Sequence, residues 1–255
     1  MTRVLTAALG LLLILAVTVW GPVWLFVLLV VLVAALGLDE FLSLVSALGR
    51  SHPGRWFLLP GAAVALSFAL GPEWVLWTLA ANVVLLSLVA MAGGRGAGQF
   101  EQLAFGTAGM LYTCLLPGFL LMAPRAALWV LIATVWAGDT AAYYGGRLLG
   151  KHRLAPVVSP HKTVEGAVAG GVASVLVGAS LGSVFLDVTL PLLAGICLLT
   201  GVAGQLGDLS ESALKRNAGV KDSANRLPGH GGILDRIDSL LFAAPVFLFL
   251  LMWAT

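Results

Sequence analysis

Charge is scarce in this chain. Lys and Arg number 14 and Asp and Glu 12, together 10% of its residues, where soluble domains carry roughly 25%. An ordinary water-soluble fold is thereby excluded. The formal net charge is only +2, and the basic residues are confined to short polar segments, so nucleic acid is not an expected partner. Cysteine is nearly absent. Cys114 and Cys197 both fall inside apolar runs with no evident oxidant or metal partner, which reads as packing. A leader-type cleavage site is missing too: the apolar segment after Arg3 runs straight on into GPVWLFVLLVVLVAALG, as a first transmembrane helix would.

What is present is hydrocarbon. Apolar residues make up 60% of the chain and the mean hydropathy is +1.01. The apolar runs are long enough to cross roughly 30 Å of bilayer. The expected fold is therefore an all-α, polytopic transmembrane bundle of about nine spans, with cytoplasmic loops forming the active site. The spans fall at 4–20, 22–38, 56–70, 74–92, 103–123, 126–146, 164–184, 189–208 and 236–254. The third is short and carries Pro60 and Gly61. With nine crossings, 13 of the 14 basic residues collect on one face and only Arg125 on the other; without the third span the tally becomes 10 against 4. The positive-inside rule thus favours nine spans with a cytoplasmic N-terminus and the C-terminus opposite. Residues 1–125 read as N-terminal membrane helices and 126–255 as a catalytic membrane region.

The scarce charge is also concentrated. Ten of the 26 charged side chains lie between Asp208 and Asp238, in GDLSESALKRNAGVKDSANRLPGHGGILDRID. Ionisable groups beside a bilayer are functional candidates by default. On a helix continuing from the eighth span, Asp208, Glu211, Ser212 and Lys215 fall on one stripe, either a salt-bridged face or a binding face. Gly229, Gly231 and Gly232 let backbone amides approach an anion. Carboxylates suit magnesium, and Lys and Arg suit phosphate. Metal and polyphosphate binding is the expected chemistry. The topology also puts Asp139, Asp208 and Asp235 on the cytoplasmic face.

The stretch SALKRNAGVKDSANRLPGHGGILDRID resembles the signature of phosphatidate cytidylyltransferases, the CDP-diacylglycerol synthases. Its marks are Lys215-Arg216, Lys221-Asp222, His230-Gly231-Gly232 and Asp235-Arg236 followed by Asp238. A second block, WAGDTAAYYGGRLLGKHRLAPVVSPHKTVEG, is similar to the same family's upstream region, with Val164 where a larger residue is usual. The resemblance covers residues 136–238. It implies transfer of a cytidylyl group from CTP to phosphatidic acid at the inner membrane of a cell, for phospholipid synthesis. It further implies Mg2+, two cations in all with the second either divalent or monovalent, and suggests a homodimer. Asp208 and Asp235 become the main metal ligands. Lys215, Arg216, Lys221 and Arg236 become phosphate-binding groups, and Asp222, His230 and Asp238 complete the catalytic set by orienting it.

Several readings stay open beside these. Asp139 reads equally as a metal ligand or as half of a structural ion pair. Ser159, Lys162 and Thr163, with Glu165, sit where the family's loop meets substrate, but Thr163 or Ser159 could instead cap the seventh span. Ser212 either touches phosphate or caps its own helix, and His230 either serves the site or stabilises a turn. GGRLLGKH approaches a phosphate-binding loop, but it ends in His and follows a membrane helix, so that reading fails. The four-residue glycine spacings 166–170 and 178–182 fit close helix packing. Two rival functions remain: a CTP-dependent polyprenol or dolichol kinase, and an ion-coupled transporter. The full signature argues against the first; the absence of a visible repeat and the crowding of charge at one face argue against the second.

Overall fold

The structure is a computed structural model, and it describes residues 10, 12, 14–51, 53–92, 97–227, 229 and 231–255. Among them are seven helices long and apolar enough to cross a membrane. The chain is a multi-pass membrane protein. Seven of the nine expected spans correspond to these helices. The third is a short helix, and the first lies mostly outside the described residues, with 14–19 helical.

The chain divides into two compact units, one of Met1–Met122 with Asn217–Arg236, the other of Ala123–Arg216 with Ile237–Thr255. In the first, helix α1 (Val23–Ala47) starts behind Pro22, whose φ of -65° is already helical, and stops where Gly49 turns left-handed at φ +73°. Helix α2 (Leu58–Ser67) follows a 3-10 turn at Arg55–Phe57 and is only 10 residues long. It is packed all the same: a Cβ on Gly61 would lie 2.6 Å from Leu38 and 3.0 Å from the Cys114 sulfur. Helices α3 (Pro72–Ala92) and α4 (Ala97–Met110) complete this part. The span of α4 continues to Met122 through a π-helical turn at Leu111–Leu115. Pro117 offers no N–H to the carbonyl of Thr113, so the hydrogen-bond register slips just ahead of it. Ala34, Leu38, Leu42, Phe57 and Cys114 are fully buried in the core, whereas Leu76, Trp77 and Val83 of α3 are exposed, as lipid-facing side chains would be.

The second unit holds helices α5 (Arg125–Leu149), α6 (Val164–Phe185), α7 (Leu190–Asn217) and most of α8 (Leu234–Ala254). Between α5 and α6 lies a two-stranded antiparallel hairpin, β1 (Arg153–Ala155) with β2 (Ser159–Thr163), which pairs Arg153 with Thr163 and Ala155 with Ser159. The fold is otherwise helical, and this short hairpin lies in one of its polar loops. Polar, proline-bearing SPHKT has no alternating apolar pattern to announce a strand. Thr163 ends β2 and caps α6, its Oγ1 accepting from the Gly166 N–H at 3.1 Å. Helices α5 and α6 meet along small residues. A Cβ on Gly166 would come within 2.6 Å of the Ala142 carbonyl, and one on Gly170 within 2.9 Å of the Gly138 carbonyl, so glycine is what lets the backbones approach. Cys197 is buried beside Thr134, and both cysteines are free, as expected of packing residues.

Candidate active site

The second unit contains a cavity of ≈ 600 Å³. Residues three and four apart on a helix share a face, and α5 presents Asp139, Tyr143, Gly146 and Arg147 to the cavity in this way. The hairpin region adds Lys151, Arg153, His161 and Lys162; α6 and its cap add Thr163 and Gly166; α7 adds Gln205 and Asp208. Two ties fix these elements. Glu165 accepts from the N–H groups of Lys151 and His152 at 3.0 and 3.2 Å and pairs with the His152 ring at 2.6 Å. Gln205 donates to the Ala167 carbonyl at 3.1 Å.

Inside this frame Lys162 Nζ pairs with Asp208 Oδ2 at 2.6 Å, and Ser212 makes a long contact to Asp208 Oδ1 at 3.4 Å. Ser239 reaches Asp139 Oδ1 at 3.4 Å. Asp139, Asp208 and Asp238 are close enough to repel one another electrostatically. The fold has thus brought together Asp139, Lys162, Thr163, Asp208, Ser212 and Asp238. The rest of the predicted stripe behaves differently: Lys215 pairs with Glu211 one turn away, and Glu211 is completely buried. That half is a salt-bridged face. Arg216 donates to the Val158 carbonyl at 3.4 Å, and Ser159 is held in β2 opposite Ala155.

The other candidates belong to the first unit. Lys221, Asp222 and Arg236 are exposed; His230, with Pro228, lies outside the described residues. Gly229 and Gly231 are left-handed, at φ +77° and +78°. Leu227 donates to the Gly231 carbonyl at 2.9 Å, which closes the turn. Asp235 Oδ2 accepts from Gly232 N–H at 2.7 Å and from both the N–H and the hydroxyl of Ser223 at 3.0 Å.

Two acids outside the motifs belong to this network. Asp39 and Glu40 of α1 are buried, 7% and 1% exposed. Glu40 accepts from the N–H groups of Ile233 and Leu234, both at 2.9 Å, from the Ser223 hydroxyl at 2.9 Å, and faces Arg226 Nε at 3.3 Å. Asp39 pairs with Arg55 at 2.9 Å and with Arg226. Adjacent acids at the end of an apolar run were the available signal.

The donor chemistry fits magnesium. Carboxylate oxygens are hard ligands, three of them repel one another in the second unit, and an ammonium already sits on one. No trio of His, Cys, Asp or Glu among the described residues forms a ready-made ligand cluster.

Comparison with known proteins accords with this chemistry. The model of the cytidylyltransferase family matches residues 1–254. The chain is 37% identical over 264 residues to a phosphatidate cytidylyltransferase of Staphylococcus haemolyticus, covering 98% of each chain. Its likeness to the protein of that name from Staphylococcus epidermidis is 36% over 262 residues, again 98% of each. With the Staphylococcus aureus protein the identity is 50% over 119 residues, 46% of each chain.

Proposed function

We propose, from the premise that this chain belongs to the cytidylyltransferase family, that it transfers the cytidylyl group of CTP to phosphatidic acid. The products are CDP-diacylglycerol and pyrophosphate, and the role is phospholipid biosynthesis. The observation that carries this reading is the cavity in which Arg147, Lys151, Arg153 and Lys162 stand around Asp139 and Asp208.

Bond making and breaking are simple here. An oxygen of the lipid phosphate attacks the α-phosphorus of CTP; that P–O bond forms as the bond from the α-phosphorus to the bridging oxygen breaks, and pyrophosphate leaves with the electron pair. The acceptor is already an anion, so no protein nucleophile or general base is needed. Two anions must instead be held in line, which makes positioning and charge neutralisation the work of the site. Lys162, Arg147, Lys151 and Arg153 bind nucleotide phosphates, with Thr163 and Ser159 as hydroxyl donors. Lys162 gives up Asp208 when it does so. Arg216, Lys221 and Arg236 serve the phosphates of CTP or lipid, joined by Lys215 where it exchanges its Glu211 partner for phosphate, and Ser212, Asp222 and His230 orient them.

Asp208 and Asp139, with Asp238 beside them, would hold magnesium, and Asp235 is a further ligand by resemblance. The bound cation supplies positive charge to the phosphates, a second cation either divalent or monovalent. Activity on the cytoplasmic face of the inner membrane, in a homodimer, completes the reading. A water-soluble nucleotide then arrives from the cytosol while phosphatidic acid keeps its acyl chains in the bilayer.

Purified protein supplied with labelled CTP, Mg2+ and either phosphatidic acid or a polyprenol tests the function. A CDP-lipid and pyrophosphate are expected. A lipid phosphate with CDP would make the protein a kinase, and no product from either acceptor would leave the transporter reading standing.

A further inference from the structure

Glu40 sits on α1, far in sequence from the signature segment, and yet four groups of that segment converge on its carboxylate. Two are the N–H groups of Ile233 and Leu234, which a helix start leaves without intrahelical partners. The third is Arg226, and the fourth is the Ser223 hydroxyl at 2.9 Å. The same hydroxyl lies 3.0 Å from Asp235 Oδ2. Its one proton therefore faces two carboxylates, and Ser223 joins them. Asp235 Oδ2 is fixed further by the N–H groups of Ser223 and Gly232. A Cβ on Gly232 would collide with both the Ser223 hydroxyl and Glu40, so glycine is required for this closure.

We infer that Glu40 is a positioning residue for Asp235, acting through Ser223 and the start of α8. The inference rests on the cytidylyltransfer reading only in giving Asp235 a part in the chemistry. A fully buried acid saturated by donors has one arrangement, and it passes that arrangement to the side chain it shares a proton with.

Glu40→Gln and Ser223→Ala, singly and together, test it in purified full-length protein. Glu40→Gln is expected to lower kcat about 10–100-fold, to raise the Mg2+ concentration giving half-maximal activity, and to leave KM for CTP within about threefold. Amide hydrogen exchange across residues 223–234 is expected to quicken. Ser223→Ala, which leaves the other contacts of Glu40 in place, is expected to lower kcat about tenfold, and the double variant to be no worse than Glu40→Gln, because both act along one path. A merely structural Glu40 would lower the melting temperature without moving the Mg2+ requirement. Wild-type kcat and Mg2+ requirement in Ser223→Ala overturns the inference, even where Glu40→Gln fails to fold, and so do effects that multiply in the double variant. Failure of the wild-type protein to make any CDP-lipid would instead sink the functional reading, and unchanged exchange in Glu40→Gln would then refute the positioning role by itself.

Discussion

Glu40 and Asp208 are both carboxylates on membrane helices, and the fold treats them in opposite ways. Glu40 is sealed from solvent and receives two backbone N–H groups, a hydroxyl and a guanidinium. Asp208 lines an open cavity, receives the Lys162 ammonium, and stands among two further acids that repel it. A buried acid with its lone pairs filled holds a structure in place. Acids close enough to repel one another, one of them already paired with an ammonium, are set to receive more positive charge. Charge density in the sequence singles out residues 208–238 and passes over Glu40; the supply of donors to each carboxylate is what separates scaffold from site.

Four substitutions probe that contrast. Asp208→Asn should cost at least about 1,000-fold in turnover, ~4 kcal/mol of transition-state stabilisation, with membrane insertion intact; a labelled-CTP assay that returns near-normal activity would break the contrast at its centre. Lys162→Ala should lower kcat/KM about 100-fold, ~2.7 kcal/mol, read from initial rates with CTP varied. Arg226→Ala, which strips a partner from Asp39 and Glu40, should destabilise by about 2 kcal/mol after allowance for the partial exposure of the arginine, seen as a lower melting temperature in detergent. Thr163→Ala should lose the cap of α6 and about 1 kcal/mol of stability. The same variant sharpens the comparison: a rise in KM for CTP beyond about fivefold would place its hydroxyl on phosphate as well.

Span positions were legible because hydrocarbon thickness fixes the length of apolar sequence a crossing needs. Seven expected segments match long helices on that ground. Leu58–Ser67 escaped the rule by being too short, although Gly61 packs it firmly into the core. The hairpin was invisible because its strands are only three and five residues long and neither alternates apolar with polar side chains. Asp139, Lys162 and Asp208 could be named from motif and resemblance, and the cavity sets Arg147, Lys151 and Arg153 beside them. Glu40 was hidden for another reason. Its hydrogen-bonding partners lie 183 to 194 residues away in the chain, and nothing local records such a meeting.

The glycine seam between α5 and α6 carries a consequence for anyone who would redesign this protein. Added methyl groups there would press main chain on main chain, where neither side has a rotamer to give way. Heat-hardening by the usual exchange of glycine for alanine is therefore closed at Gly166 and Gly170, and must be sought on lipid-facing positions such as those of α3. Where the seam borders the cavity, at Gly146 and Gly166, the closeness of the two helices comes from what those residues omit.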